Sequence, residues 1–179
     1  MTGHLRTAHT ADLTPAELRA ARALMAAAFG ERFDDEDWDH GLGGIHALVH
    51  DDAGLAAHGS VVMRRARHRE RWLRVGYVEA VGVRPDARRS GLGGQVMGAL
   101  ERVIDRAYDL GALSASEDGA RLYAARGWQL WPGRILALSP YGPVPLPEEE
   151  GSLYVLPALA GPLDPAHELL FDWRDGDVL

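Results

Sequence analysis

Arg88-Arg89-Ser90-Gly91-Leu92-Gly93-Gly94 has the residue types and spacing to bind an anion. An apolar run, Ala80-Val81-Gly82-Val83, leads into it through Arg84-Pro85, and an amphipathic segment follows from Gln95. Glycines permit positive φ and close approach to the backbone, the first amides of a helix lack intrahelical acceptors, and the helix dipole favours negative charge there. A strand, a glycine turn and a helix in that order would fit a pyrophosphate. Two other side chains could move protons. Leu73, Val75, Tyr77, Val81 and Val83 share one strand parity with Glu79, and a carboxylate on an apolar face is costly unless it opens into a cleft or has a partner. Desolvation there would raise its pKa toward that of a useful base, whereas a β-bulge near residues 78–80 would turn it outward. Tyr123 lies shortly before the helix-ending Gly127, a position that by itself is more often core than catalytic.

Several chemistries are excluded. The third glycine of a G-x-G-x-x-G dinucleotide fingerprint would fall at Val96. All nineteen basic side chains are arginine, so there is no P-loop lysine and no Schiff-base or pyridoxal lysine. There is no cysteine, which removes disulfides, thiolate metal sites and a cysteine acyl-enzyme. His46, His50 and His58 show no ligand spacing, so no metal is expected. Arg64-Arg65-Ala66-Arg67-His68-Arg69-Glu70-Arg71 reads as an exposed hairpin turn. It lacks interleaved aromatics, and the net charge is −7, so nucleic acid is not an expected partner. That charge comes from residues 141–179, which hold eight acids against Arg174 and would suit a cationic ligand. Met1 to Arg6 has no apolar signal core and no run reaches membrane-spanning length, so a soluble cytoplasmic protein is expected. At 179 residues and 46% hydrophobic content, one domain is the simplest organisation.

These residues need positioning elements. A short strand is expected around Leu5–His9. Thr14-Pro15-Ala16-Glu17 provides an N-cap, a first-turn proline and a capping-box carboxylate for a helix to Phe29 stopped by Gly30, with Leu13 and Leu18 as a staple. Asp34 to Asp39 opens a shorter helix. Gly41, Gly43 and Gly44 break it, and a hairpin follows over Ile45–His50 and Leu55 to about Ala66, then a strand over Trp72–Val83. The helix after the glycines buries Val96, Met97, Leu100, Val103, Ile104, Ala107 and Tyr108 and ends at Gly111. Leu113–Ala115 reads as a short strand. Ser116 caps a helix with Glu117 and Asp118 in its first turn, running to Arg126 with Gly127 as its stop. Trp128–Leu138 is an interrupted strand, Ser139–Gly151 a proline-rich loop, Ser152–Leu156 a last strand, and the remainder a tail.

Two motifs together resemble a known superfamily. Arg88-x-x-Gly91-x-Gly93 after a valine-rich strand, and Arg121-Leu122-Tyr123-Ala124-Ala125-Arg126-Gly127-Trp128 about thirty residues later, are similar to the pyrophosphate loop and the tyrosine helix of GNAT acyl-CoA N-acyltransferases. Asp37 to Leu48, Gly76-Tyr77-Val78-Glu79, Leu110 to Ser114 and Asp172 to Val178 further resemble the aminoglycoside 2'-N-acetyltransferase family. The resemblance implies an α/β (α+β) GNAT fold. Its mixed, mostly antiparallel central sheet would be splayed between strands four and five and flanked by helices, as one acetyltransferase domain over 1–179.

It also implies roles. Acetyl-CoA would lie in the splay, its pyrophosphate on Arg88, Arg89, Ser90, Gly91, Leu92 and Gly93 and its pantetheine on the backbone of Val81, Gly82 and Val83. The Val81 amide would polarise the thioester carbonyl, Glu79 would deprotonate the acceptor ammonium, and Tyr123 would protonate the departing sulfur. The acceptor, a cationic amino sugar, would meet Asp37, Glu79, Ala80, Ser114, Glu149, Asp177 and Leu179, and the protein would be a homodimer without a metal. Two positions depart from the family: Arg32 stands where an acid is expected and Leu179 where relatives end in tryptophan. Alternatives are acetylation of another small cationic amine and a CoA-binding domain without turnover.

Overall fold

The computed structural model describes residues 3–179, apart from the side chains of Arg32, Glu117 and Asp118. The expectations placed on Met1 and Thr2, and on those three side chains, therefore lie outside the described residues. In chain order the main elements are β1 (His4–His9), α1 (Pro15–Phe29), α2 (Asp35–His40), β2 (Ile45–Asp51), β3 (Gly54–His68), β4 (Arg71–Val83), α3 (Leu92–Ala107), β5 (Leu110–Ser114), α4 (Glu117–Ala125), β6 (Gln129–Leu130), β7 (Ile135–Ser139), β8 (Gly142–Pro145), β9 (Leu153–Pro157) and β10 (Leu169–Asp172). The chain forms two compact units, residues 1–62 with 78–102 and residues 63–77 with 103–179. Long elements contribute to both.

In the first unit, β1, β2 and the start of β3 form an antiparallel ladder. The amide of Arg84, just past β4, donates to the Ala56 carbonyl at 2.8 Å. α1 begins where the sequence says it should: the Thr14 hydroxyl accepts from the Glu17 amide, the Glu17 carboxylate accepts from the Thr14 amide, and Gly30 ends the helix at φ 65°. Leu13 sits in the core with Leu18 packed against it. A Cβ at Gly82 would touch Leu24 and Met25 of α1, whereas one at Gly59 would touch Val96 and Leu100 of α3. The sheet of this unit is thus covered on both faces, and glycines allow the close approach.

In the second unit the strand order is β6-β9-β5-β4-β3-β10-β7-β8. β4–β5 and β10–β7 are parallel, and β5–β9, β6–β9, β3–β10 and β7–β8 antiparallel. The β4–β5 ladder runs from Val75↔Leu110 to Tyr77↔Ala112. The fold is the mixed, mostly antiparallel α/β architecture expected.

Several boundaries depart from expectation. α3 ends at Ala107, which is exposed, and Gly111 lies inside β5 rather than ending the helix. The Asp109 carboxylate accepts from the Arg74 amide at 2.9 Å, and the Asp109 amide donates to the Arg74 carbonyl at 2.8 Å, so pairing with β4 begins early. The proline-rich segment holds an edge strand, β8, where Pro143 and Pro145 are tolerated because only β7 pairs with it. The expected tail contains β10. The basic run is mostly strand, its turn reduced to Arg69-Glu70, and Arg64 is only 4% exposed.

Candidate active site

β4 changes face partway along. Leu73, Val75 and Tyr77 are buried, but beyond Ala80 it is Gly82 that is buried while Val81 and Val83 are half-buried. Within the first unit, Val81 shares the α3-facing side with Gly59, whereas a Cβ at Gly82 would meet α1. The cause is Ala80 at φ 51°, a left-handed residue inside a strand. Leu73 to Val83 therefore do not form the single core-facing row that alternation alone suggests. Glu79, immediately before the kink, is half-buried, and its carbonyl accepts from the Ser60 hydroxyl at 3.5 Å.

The anion loop lies in the same unit. Pro85–Ala87 is one 3-10 turn, the Arg88 side chain donates to the Val83 and Ala28 carbonyls at 3.4 and 3.3 Å, and Arg89 and Gly91 adopt φ of 60° and 85°. Leu92 is buried and anchors the turn, leaving Arg88, Arg89, Ser90 and Gly91 exposed and Gly93 half-buried. The Gln95 amide bonds to the Gly91 carbonyl at 3.1 Å, so the amides of Leu92, Gly93 and Gly94 have no acceptor within the helix. Arg84 is not part of the free charge. Asp51 and Asp86 clasp it at 2.7 and 2.6 Å, raising its pKa further and holding both carboxylates below their ordinary range. Asp37 is occupied locally: its carboxylate accepts from the Asp34 amide at 3.1 Å in a capping box at the start of α2.

In the second unit, Ser114 and Glu149 come together. The Tyr77 hydroxyl donates to Ser114 Oγ at 3.2 Å, Ser114 donates to Glu149 Oε2 at 2.8 Å, and the Ser152 hydroxyl lies 3.1 Å from the same oxygen. The C-terminal segment reaches the same tyrosine. Arg64 donates to the Asp172 carboxylate at 2.7 Å and to the Val178 carbonyl at 2.5 Å, while Arg174 lies over the Tyr77 ring and donates to the Asp177 carbonyl at 2.9 Å. Leu179 is 8% exposed and Asp177 is exposed. Tyr123, on α4, packs its ring near Trp128 and Tyr154, both at 6.3 Å. Burial pushes its pKa up to about 12, so the phenol keeps its proton at any ordinary pH. Tyr77, Ser152, Arg64 and Asp172 were not anticipated as site residues. Tyr77 and Asp172 lie in segments that carry the family resemblance, and a tyrosine at a core position is a further signal because a buried hydroxyl needs a partner.

A sequence model of the acetyltransferase (GNAT) domain matches residues 9–131. The chain belongs to the GNAT acetyltransferase family. Among its GNAT relatives, an aminoglycoside 2'-N-acetyltransferase of Mycolicibacterium fortuitum is 47% identical over 176 residues, covering 97% of this chain and 90% of that protein. The fold is shared with the GNAT family N-acetyltransferase YhbS of Escherichia coli, solved in complex with CoA, at TM-score 0.64 and 17% identity over 97% of this chain and 90% of that one. It is shared too with E. coli ElaA, at TM-score 0.60 and 18% identity over 86% of this chain and 97% of that one. Among the described residues no group of His, Asp or Glu could hold a metal ion, and no helix is long and apolar enough to cross a membrane.

Proposed function

We propose that this GNAT acetyltransferase moves an acetyl group from acetyl-CoA to the 2' amine of an aminoglycoside. The observation that carries the reading is 47% identity to an aminoglycoside 2'-N-acetyltransferase across nearly the full length of both chains. Acetyl-CoA fits the glycine turn, where exposed arginines flank helix amides that lack intrahelical acceptors, and it would supply an activated acetyl thioester. Arg88, Arg89, Ser90, Gly91, Leu92 and Gly93 would hold its pyrophosphate and the backbone of Val81, Gly82 and Val83 its pantetheine. Glu79 takes a proton from the acceptor ammonium so that the amine can attack, the Val81 amide stabilises the developing oxyanion, and Tyr123 holds a proton for the sulfur. No covalent enzyme intermediate is required.

The acceptor is read as a polycation because Glu149 and Asp177 belong to the acid-rich C-terminal stretch, and Ser114 is hydrogen-bonded to Glu149. Ala80 and Leu179 would supply its apolar contacts and Asp37 a further negative charge, though Asp37 must then serve both the α2 cap and the ligand. One GNAT domain over residues 1–179, acting as a cytoplasmic homodimer, completes the reading. A thiol-release assay with acetyl-CoA tests it, using aminoglycosides bearing a 2' amine beside matched compounds bearing a 2' hydroxyl. Turnover of the first set alone is expected, and equal turnover of both would overturn the regiochemistry.

A further inference from the structure

Beside the kink in β4, the first unit contains a continuous hydrogen-bonded row. His58 Nδ1 lies 3.1 Å from the Ala80 carbonyl oxygen, His58 Nε2 2.9 Å from His46 Nδ1, His46 Nε2 2.8 Å from Thr10 Oγ1, and the Gly43 amide donates to Thr10 Oγ1 at 2.8 Å. Both imidazoles are buried, and Trp38 of α2 packs against His58 with ring centres 6.3 Å apart. Burial holds them neutral, with pKa values lowered to about 4 for His46 and about 3 for His58. A carbonyl can only accept, so His58 Nδ1 carries the proton and its Nε2 the lone pair. His46 must then donate from Nδ1 and accept at Nε2, and the Thr10 hydroxyl turns its proton toward His46 rather than the more distant Gly44 carbonyl at 3.3 Å. Every donor has one acceptor, and the row points one way.

Its end point is what makes it consequential. Among the described residues, the other non-glycine positions with positive φ, Arg69 and Arg89, lie in turns, whereas Ala80 is held left-handed inside a strand. Such a conformation persists only where its surroundings over-determine it. The Ala80 carbonyl and the Val81 amide belong to one planar trans peptide, so their C=O and N–H point in opposite directions. Fixing the oxygen on His58 fixes where the Val81 N–H aims. We propose that His58, oriented through His46 and Thr10, is a positioning residue that pins the Ala80–Val81 peptide so that the Val81 amide meets the substrate carbonyl. This rests on the acetyl-transfer reading for its consequence, but not for its structure.

Substitutions at His58 separate the atoms. Asparagine places an amide N–H near the Nδ1 position and can still hold the Ala80 oxygen. Glutamine reaches the Nε2 position and can still accept from His46, but leaves that oxygen without a donor. His58→Gln and His58→Leu are expected to lower kcat roughly ten- to a hundredfold with KM for acetyl-CoA changed by less than about twofold, and His58→Asn to restore most of the loss. Equal losses in Asn and Gln variants, or an unchanged kcat in His58→Leu, would overturn the proposal. Thr10→Val, at the far end, is expected to lower kcat severalfold and Thr10→Ser to restore it, which decides the matter if a His58 variant does not fold. Nitrogen NMR of the histidine-labelled wild type provides a readout independent of activity. Both imidazoles should be neutral with the proton on Nδ1, and an Nε2–H tautomer at His58 would sink the relay even if the enzyme turns over. A wild type that shows these tautomers yet acetylates no amine would instead reject the functional reading alone.

Discussion

Tyr123 shows how burial sets the chemistry a single side chain can do. Raised to about 12, its hydroxyl is a proton store rather than a base across the range in which amines are acetylated. Tyr123→Phe keeps the ring beside Trp128 and Tyr154, so it should leave the melting temperature nearly unchanged while lowering kcat by about 10²-fold, as thiol release would measure. The wild-type rate profile should also show no ionisation near pH 10, where a solvated tyrosine would lose its proton. At this scale the sequence was legible where backbone chemistry dominates: Gly91 adopts the positive φ its type permits, whereas the φ of 60° at Arg89 is one its type does not suggest. It was not legible where a distant partner decides. Nothing near Arg64 says that Asp172 will arrive to bury it, and nothing near His58 says that its imidazole will meet His46 and the Ala80 carbonyl.

Elements were readable in proportion to how local their signals are. α1 is specified by a proline, a capping box and a terminal glycine within one sequence window, and its observed limits match. β5 begins earlier than its apolar residues suggest because Asp109 pairs with Arg74, far away in sequence, and β10 exists only because β3 and β7 flank it. The kink in β4 was suggested by the misfit of Glu79, but its location at Ala80 depends on what holds that carbonyl. Close packing gives a test of the element contacts. A Cβ at Gly44 would stand 2.1 Å from the Val61 carbonyl oxygen and 2.9 Å from its carbon, both backbone atoms that cannot rotate away. Gly44→Ala should therefore cost roughly 3 kcal/mol, the upper end of ordinary overpacking, as read by denaturant unfolding.

For the molecule as a whole, the two buried histidines tie stability to pH. Their folded pKa values lie below the ordinary histidine value of 6.5, so as pH falls through that value the unfolded chain takes up protons first. The stability that their neutral burial confers is present above about pH 6.5 and is lost progressively toward pH 4 and 3, by an amount on the order of a few kcal/mol for the pair. Melting temperatures between pH 7.5 and 4.5 should fall steeply in the wild type and less steeply in a His46→Asn, His58→Asn double variant. A flat wild-type profile would mean that the pair is accessible to protons.

The strand order of the second unit also bears on how the chain is made. β3 has β4 on one side, and the other edge of its residues 66–68 is covered by Leu169–Phe171 of β10. A ribosome adding roughly 5–20 residues per second would leave that edge uncovered for on the order of 5 to 20 s after it emerges. An uncovered edge offers unpaired amides and carbonyls to any other extended chain. Nascent copies on one messenger are therefore most prone to stick to each other during that interval, and slower elongation over the last third of the message should lower soluble yield more than slower elongation over the first.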